Sequence, residues 1–200
     1  MMTRREMLKQ LGLTIGLASG LAIECRAQAR AQVLPAAGEA LMSLTPAEAE
    51  TLRAVVARII PADENGPGAL EARADRFIDR ALAGALKNQR AAYSSGLAAI
   101  EASAQSSKGT TFSKLSPADQ DAVLTAMQGN PFFNIVRTHT IQGTFSDPFY
   151  GGNQNFVGWN LIGYPGARIV VSANLQRMDS KPEPSGKSAY DYGMFNKAEF

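Results

Sequence analysis

The chain has 200 residues, 20 Lys and Arg against 18 Asp and Glu for a formal charge of +2, and only one cysteine and one histidine. That inventory excludes an internal disulfide framework, a cysteine-held iron–sulfur cluster, haem attachment through C-x-x-C-H and a metal site built from several histidines. The length is right for one domain behind a leader, large enough to bury a core without staples.

Thr3-Arg4-Arg5-Glu6-Met7-Leu8-Lys9 precedes an apolar run from Leu11 to Ile23, and Ala29-Arg30-Ala31 supplies a small-residue cleavage pattern. These parts predict a twin-arginine signal peptide over residues 1–31, with Arg4 and Arg5 engaging the translocase. The run carries Gly12, Gly16 and Gly20 and falls short of the roughly 20 apolar residues of a comfortable bilayer span, so cleavage is favoured over a permanent anchor. Cys25 follows Ile23-Glu24, which does not suit lipoprotein processing, and leaves with the leader. The leader's net +3, taken from the chain's +2, leaves −1 for the mature protein, so nucleic-acid binding has no electrostatic support. Such leaders serve proteins exported already folded, often because a cofactor or a partner is loaded in the cytoplasm.

Behind a linker at 32–43, helix is the dominant period. Thr45-Pro46-Ala47-Glu48 reads as a capping box with proline at the first helical position, and Leu52, Val55, Val56, Ile59 and Ile60 form the apolar stripe that follows. Pro61 ends this helix, and 63–68 makes a turn whose glycine is misplaced for a calcium loop. Ala74, Phe77, Ile78, Ala81, Leu82, Ala85 and Leu86 mark a second helix, and Tyr93, Leu97 and Ile100 a third, followed by a polar loop from about Gln105 to Ser113. Leu115-Ser116-Pro117-Ala118-Asp119 repeats the capping chemistry of Leu44-Thr45-Pro46-Ala47-Glu48. Asn130-Pro131 opens a further helix with Phe132, Ile135, Val136 and His139 on one face. A lone histidine on an apolar face is more often a hydrogen-bonded core residue than a catalyst.

From Gly143 to Gly166 the character changes: six aromatic residues, including the only tryptophan, fall among six glycines. Three uses compete for this block. Phe145, Asp147, Tyr150, Asn153, Phe156, Trp159 and Tyr164 suit a protein interface; Trp159 and Tyr150 with Asp147 and Asn153 suit a sugar pocket; or the loop folds over helix ends and buries its own rings. The glycines do not fall as G-x-G-x-x-G between a strand and a helix, so no dinucleotide site is expected. The predicted fold class is mainly α: a compact helical domain over 44–171 with a long Gly/aromatic-rich C-terminal loop region, then a flexible tail at 172–200 whose Tyr190, Tyr192, Phe195 and Phe200 are available to dock on a partner.

Leu44-Thr45-Pro46-Ala47-Glu48, Ile59-Ile60-Pro61-Ala62-Asp63, Gly66-Pro67-Gly68-Ala69, His139-Thr140-Ile141-Gln142-Gly143, Phe145-Ser146-Asp147-Pro148, Tyr150-Gly151-Gly152-Asn153, Gly158-Trp159 and Ile162-Gly163-Tyr164-Pro165-Gly166 together resemble the small subunit, subunit 3 or gamma, of gluconate 2-dehydrogenase. The resemblance implies a noncatalytic accessory subunit of a periplasmic, membrane-associated sugar or sugar-acid dehydrogenase. Its partners would be a large flavoprotein of the glucose–methanol–choline (GMC) type, which holds FAD, and a cytochrome c subunit with haem c. No catalytic, cofactor-binding or metal residue is expected in this chain. The alternative is a chain that itself binds or oxidises a sugar, with His139 as base and Asp147 as its partner.

Overall fold

The computed structural model describes residues 40–177, 179 and 182–195; the stretch expected to be a signal peptide, with Arg4 and Arg5, and the expected linker up to residue 39 lie outside the described residues. Six α-helices occur among the described residues, and no strand: α1 Pro46–Ile59, α2 Ala74–Ala83, α3 Arg90–Lys108, α4 Pro117–Ala126, α5 Pro131–Phe145 and α6 Val157–Leu161. The mainly α expectation therefore holds.

Local chemistry sets three of the six helix starts. Thr45 Oγ1 accepts from the Glu48 amide at 3.3 Å and Glu48 Oε2 accepts from the Thr45 amide at 2.8 Å, the reciprocal pair that satisfies two otherwise orphaned groups. Arg90, at the start of α3, donates two hydrogen bonds to the same carboxylate at 3.0 and 2.6 Å. Burial works to raise the Glu48 carboxyl, but hydrogen bonds from Arg90, Thr45 and Ser94 outweigh it and hold its pKa at about 2. Ser116 accepts from the Asp119 amide at 3.2 Å to start α4, and Asn130 accepts from the Phe132 amide at 2.9 Å to start α5.

Two boundaries depart from the periodicity. The second helix stops at Ala83 instead of running to Leu86, because the Gly84 and Leu86 amides both fold back onto the Ala81 carbonyl, at 3.0 and 2.7 Å. The third helix continues past Gln105 to Lys108, through half of the expected polar loop. Its serines are tolerated there because Ser106 and Ser107 return their hydroxyls to the Ser103 carbonyl, at 3.1 and 2.7 Å. Gly109, at φ 68°, then closes the helix in the left-handed region that glycine adopts without penalty.

The core gathers Leu52, Val55 and Val56 of α1 with Ile78 and Leu82 of α2, Leu97 and Ile100 of α3, Leu124 of α4 and Val136 of α5. Helix α1 is central and touches α2, α3, α4 and α5. At its edges Arg53 pairs with Asp75 of α2 at 3.0 Å, and Arg58 makes a two-pronged bond to Asp121 of α4 at 2.7 Å for each prong. The chain enters the domain over α2, where the buried Asp79 carboxylate accepts from the amides of Met42, Ser43 and Leu44 at 2.8, 3.0 and 2.8 Å.

Helices α3 and α5 meet at Gly96, where a Cβ would stand 2.1 Å from Cγ of Phe132. The ring has no free side to move to, since Tyr93 packs edge-on against it with centroids 5.2 Å apart. Gly96→Ala is expected to cost about 2–3 kcal/mol by overpacking, despite alanine's better helix propensity, and chemical denaturation checks this.

Candidate functional site

An α-helix leaves its last four carbonyls without intrahelical partners, and the Gly/aromatic block is built on that need at the end of α5. The Ser146 amide donates to Gln142 O at 2.8 Å, the Asn153 amide to Gly143 O at 2.8 Å, and the indole N–H of Trp159 to Phe145 O at 2.8 Å. Asn153, fully buried, donates from its side chain to Ser146 O at 2.8 Å and accepts from the amides of Gly158 and Trp159 at 2.7 and 3.4 Å. The glycines allow this close approach. A Cβ on Gly152 would lie 2.1 Å from Gly143 O, and one on Gly158 would lie 1.9 Å from Thr144 O.

The expected irregular loop is thus corrected. It contains two 3-10 turns, Pro148–Tyr150 and Gln154–Phe156, and the short helix α6. Hydrophobic periodicity does not register single turns of this kind. Asn153 just before the second turn, and Asn155 and Phe156 within it, adopt φ of 45°, 54° and 59°. A bulky phenylalanine in the left-handed region is a costly conformation, held here by the surrounding contacts.

Of the seven residues read as a partner surface, Tyr150 and Tyr164 are 48% and 44% exposed, whereas Asn153 and Trp159 are buried. Phe145, Asp147 and Phe156 are half-buried. Trp159 packs against Phe156 and edge-on against Tyr164, with centroids 5.5 and 4.8 Å apart. A second aromatic group forms around the tail: Tyr190 stacks on Phe149 at 3.7 Å, and its hydroxyl meets that of Tyr150 at 2.9 Å. Asp147 fastens the same segment, accepting from the Ser188 hydroxyl at 2.5 Å and the Ala189 amide at 2.9 Å. Ser188, Ala189 and Tyr190 therefore lie against the domain, and Tyr190, read as available for a partner, has one within the chain.

Sequence reasoning passed over an exposed apolar margin beside the block. Ile162 is 60% exposed, and Ile169, Val170 and Val171 are 49%, 76% and 49% exposed. The signal was the unbroken Ile-Val-Val run just after the aromatic block, too short to carry a period. Phe149, 51% exposed, is a further aromatic of the same surface.

His139 sits in the core, 8% exposed, with Nδ1 3.0 Å from the Tyr93 hydroxyl and the two rings parallel at 5.8 Å. Burial raises the Tyr93 phenol and lowers the imidazole, so both groups are neutral across this hydrogen bond, whose donor is set by the His139 tautomer. Asp147 faces Phe149, Ser188 and Ala189, and His139 faces Tyr93, so the structure does not bring the base–carboxylate pair of the alternative reading together. Above pH about 6.5 histidine is neutral in both states; below it the unfolded chain takes up a proton that burial denies the folded one. Stability therefore falls as pH drops from about 6.5 through the lower folded-state value, and this is the chain's only histidine. In His139→Gln the part of the pH 7-to-5 slope that belongs to the imidazole is expected to vanish from denaturation curves.

Among the described residues, no group of three or more His, Cys, Asp or Glu side chains is placed to hold a metal ion, and no helix is long and apolar enough to cross a membrane. No curated protein and no solved structure matches the chain. The family model described as Gluconate 2-dehydrogenase subunit 3 does match, over residues 46–166, from the first turn of α1 through the whole aromatic block. The chain belongs to the gluconate 2-dehydrogenase subunit 3 family.

Proposed function

We propose that this chain is a noncatalytic small subunit of a periplasmic, membrane-associated, FAD-dependent sugar or sugar-acid dehydrogenase. In this reading it binds and stabilises a GMC-type flavoprotein, carries it across the membrane on its own twin-arginine leader, and works beside a cytochrome c subunit. The observation that carries the reading is the family match over 46–166, which takes in both the helical core and the aromatic block. The exposed rings of Phe149, Tyr150 and Tyr164, beside Ile162, offer the apolar contact area that a stable partner needs. FAD and haem c belong to the partners in this proposal.

The test is fractionation of cells carrying Arg4→Lys with Arg5→Lys. Both this chain and the flavoprotein are expected to accumulate in the cytoplasm, with periplasmic dehydrogenase activity falling by more than about tenfold; flavoprotein export at the unsubstituted level would sink the carrier role. Purification of the unsubstituted chain is expected to bring along a flavin-absorbing large subunit.

A further inference from the structure

After the family-matched region the chain turns back on itself, and residues 165–171 run beside 183–187. The Ser185 amide donates to Pro165 O at 2.7 Å and the Ala167 amide to Lys187 O at 3.2 Å, while the Tyr192 hydroxyl donates to Ala167 O at 2.9 Å. These segments line an open depression of about 380 Å³, in the size range of small-molecule sites. Arg168 and Lys187 line it with Ser185 and Tyr192, against a single carboxylate, Glu183. Among the described residues neither cation forms an ion pair. Lys187 Nζ instead stands 5.4 Å over the Tyr192 ring.

Arg168 donates from Nη2 to the backbone carbonyl of Glu183, which fixes the guanidinium in the wall. Its Nε is buried and has no hydrogen-bond acceptor among the described residues. With Nε buried and Nη2 held by the Glu183 carbonyl, Nη1 of Arg168 and the Lys187 ammonium are the donors left to face an anion here, and a carboxylate oxygen suits both. Ile169 and Val170 add an apolar flank to the same depression, which suits an organic skeleton and offers nothing to an inorganic anion.

We propose that this depression is a binding site for a small organic carboxylate, held by Arg168 and Lys187 with its carbon skeleton against Ile169 and Val170. The proposal does not depend on the assignment of the aromatic surface to the flavoprotein.

Calorimetric titration of the full-length chain at low ionic strength, with sodium hexanoate, sodium gluconate and inorganic phosphate as probes, tests it. Saturable binding of at least one carboxylate, tighter than phosphate, is expected; hexanoate ahead of gluconate assigns an apolar skeleton, and the reverse a hydroxylated one. Arg168→Gln should weaken that binding by about tenfold or more. Because Arg168 also holds the Glu183 carbonyl, Lys187→Gln provides the second variant: its ammonium makes no hydrogen bond among the described residues, so affinity should fall severalfold at an unchanged melting temperature. Absence of saturable carboxylate binding, phosphate binding as tight as either carboxylate, or affinity unaltered in both variants would overturn the proposal.

Discussion

Asp79→Ala is expected to destabilise the helical domain by about 3 kcal/mol and to lower its melting temperature by roughly 6–12 °C. The carboxylate is 3% exposed and accepts three consecutive backbone amides, those of Met42, Ser43 and Leu44. Truncation removes all three acceptors at once, and the Leu44 amide, itself in a buried residue, has no water to turn to. Asp79→Asn keeps one acceptor oxygen but points an amide NH₂ at donors, so it should recover less than half of the loss. The entry segment also places Thr45 at the start of α1, so its release should expose the 40–45 region to protease well below the global unfolding temperature. Thermal denaturation and limited proteolysis read the two effects separately; an Asp79→Ala protein that melts with the unsubstituted one and resists cleavage would show that the entry segment is held by other contacts.

Nothing in the sequence singles out Asp79. Its neighbours Ile78 and Leu82 announce the buried face of α2 through their spacing, and an acid beside them reads as a solvated position. What buries it is a segment 35 residues earlier in the chain, a tertiary fact that periodicity does not carry. Helix starts were legible for the opposite reason: Thr45 with Glu48, Ser116 with Asp119 and Asn130 with Pro131 each complete their chemistry within three residues. The candidate site was legible as composition, since glycines and aromatics crowd into 143–166. Its division of labour was not, because which ring is buried depends on where the end of α5 presents its carbonyls.

That division makes Asn153 the residue whose loss should alter the block most. Asn153→Ala is expected to cost about 3–4 kcal/mol, combining the unsatisfied amides of Gly158 and Trp159 and the Ser146 carbonyl with about 1 kcal/mol for alanine held at φ 45°. Asn153→Gly also removes the side chain but tolerates the backbone, so the difference between the two variants isolates the conformational share. The indole of Trp159, buried and bonded to Phe145 O, should lose its seat; as the chain's only tryptophan, its emission should shift to the red and become quenchable by acrylamide. Helices α1 to α4 do not hydrogen-bond to Asn153, so far-ultraviolet circular dichroism should change little below the melting transition. Tyr150→Ala provides the contrast, because Tyr150 is 48% exposed and outside the Asn153 network. In the proposed complex it should weaken retention of the flavoprotein at nearly unchanged stability, whereas Asn153→Ala should lose retention and stability together. Equal retention by Tyr150→Ala and the unsubstituted chain would move the partner surface away from the Phe149–Tyr150 rings.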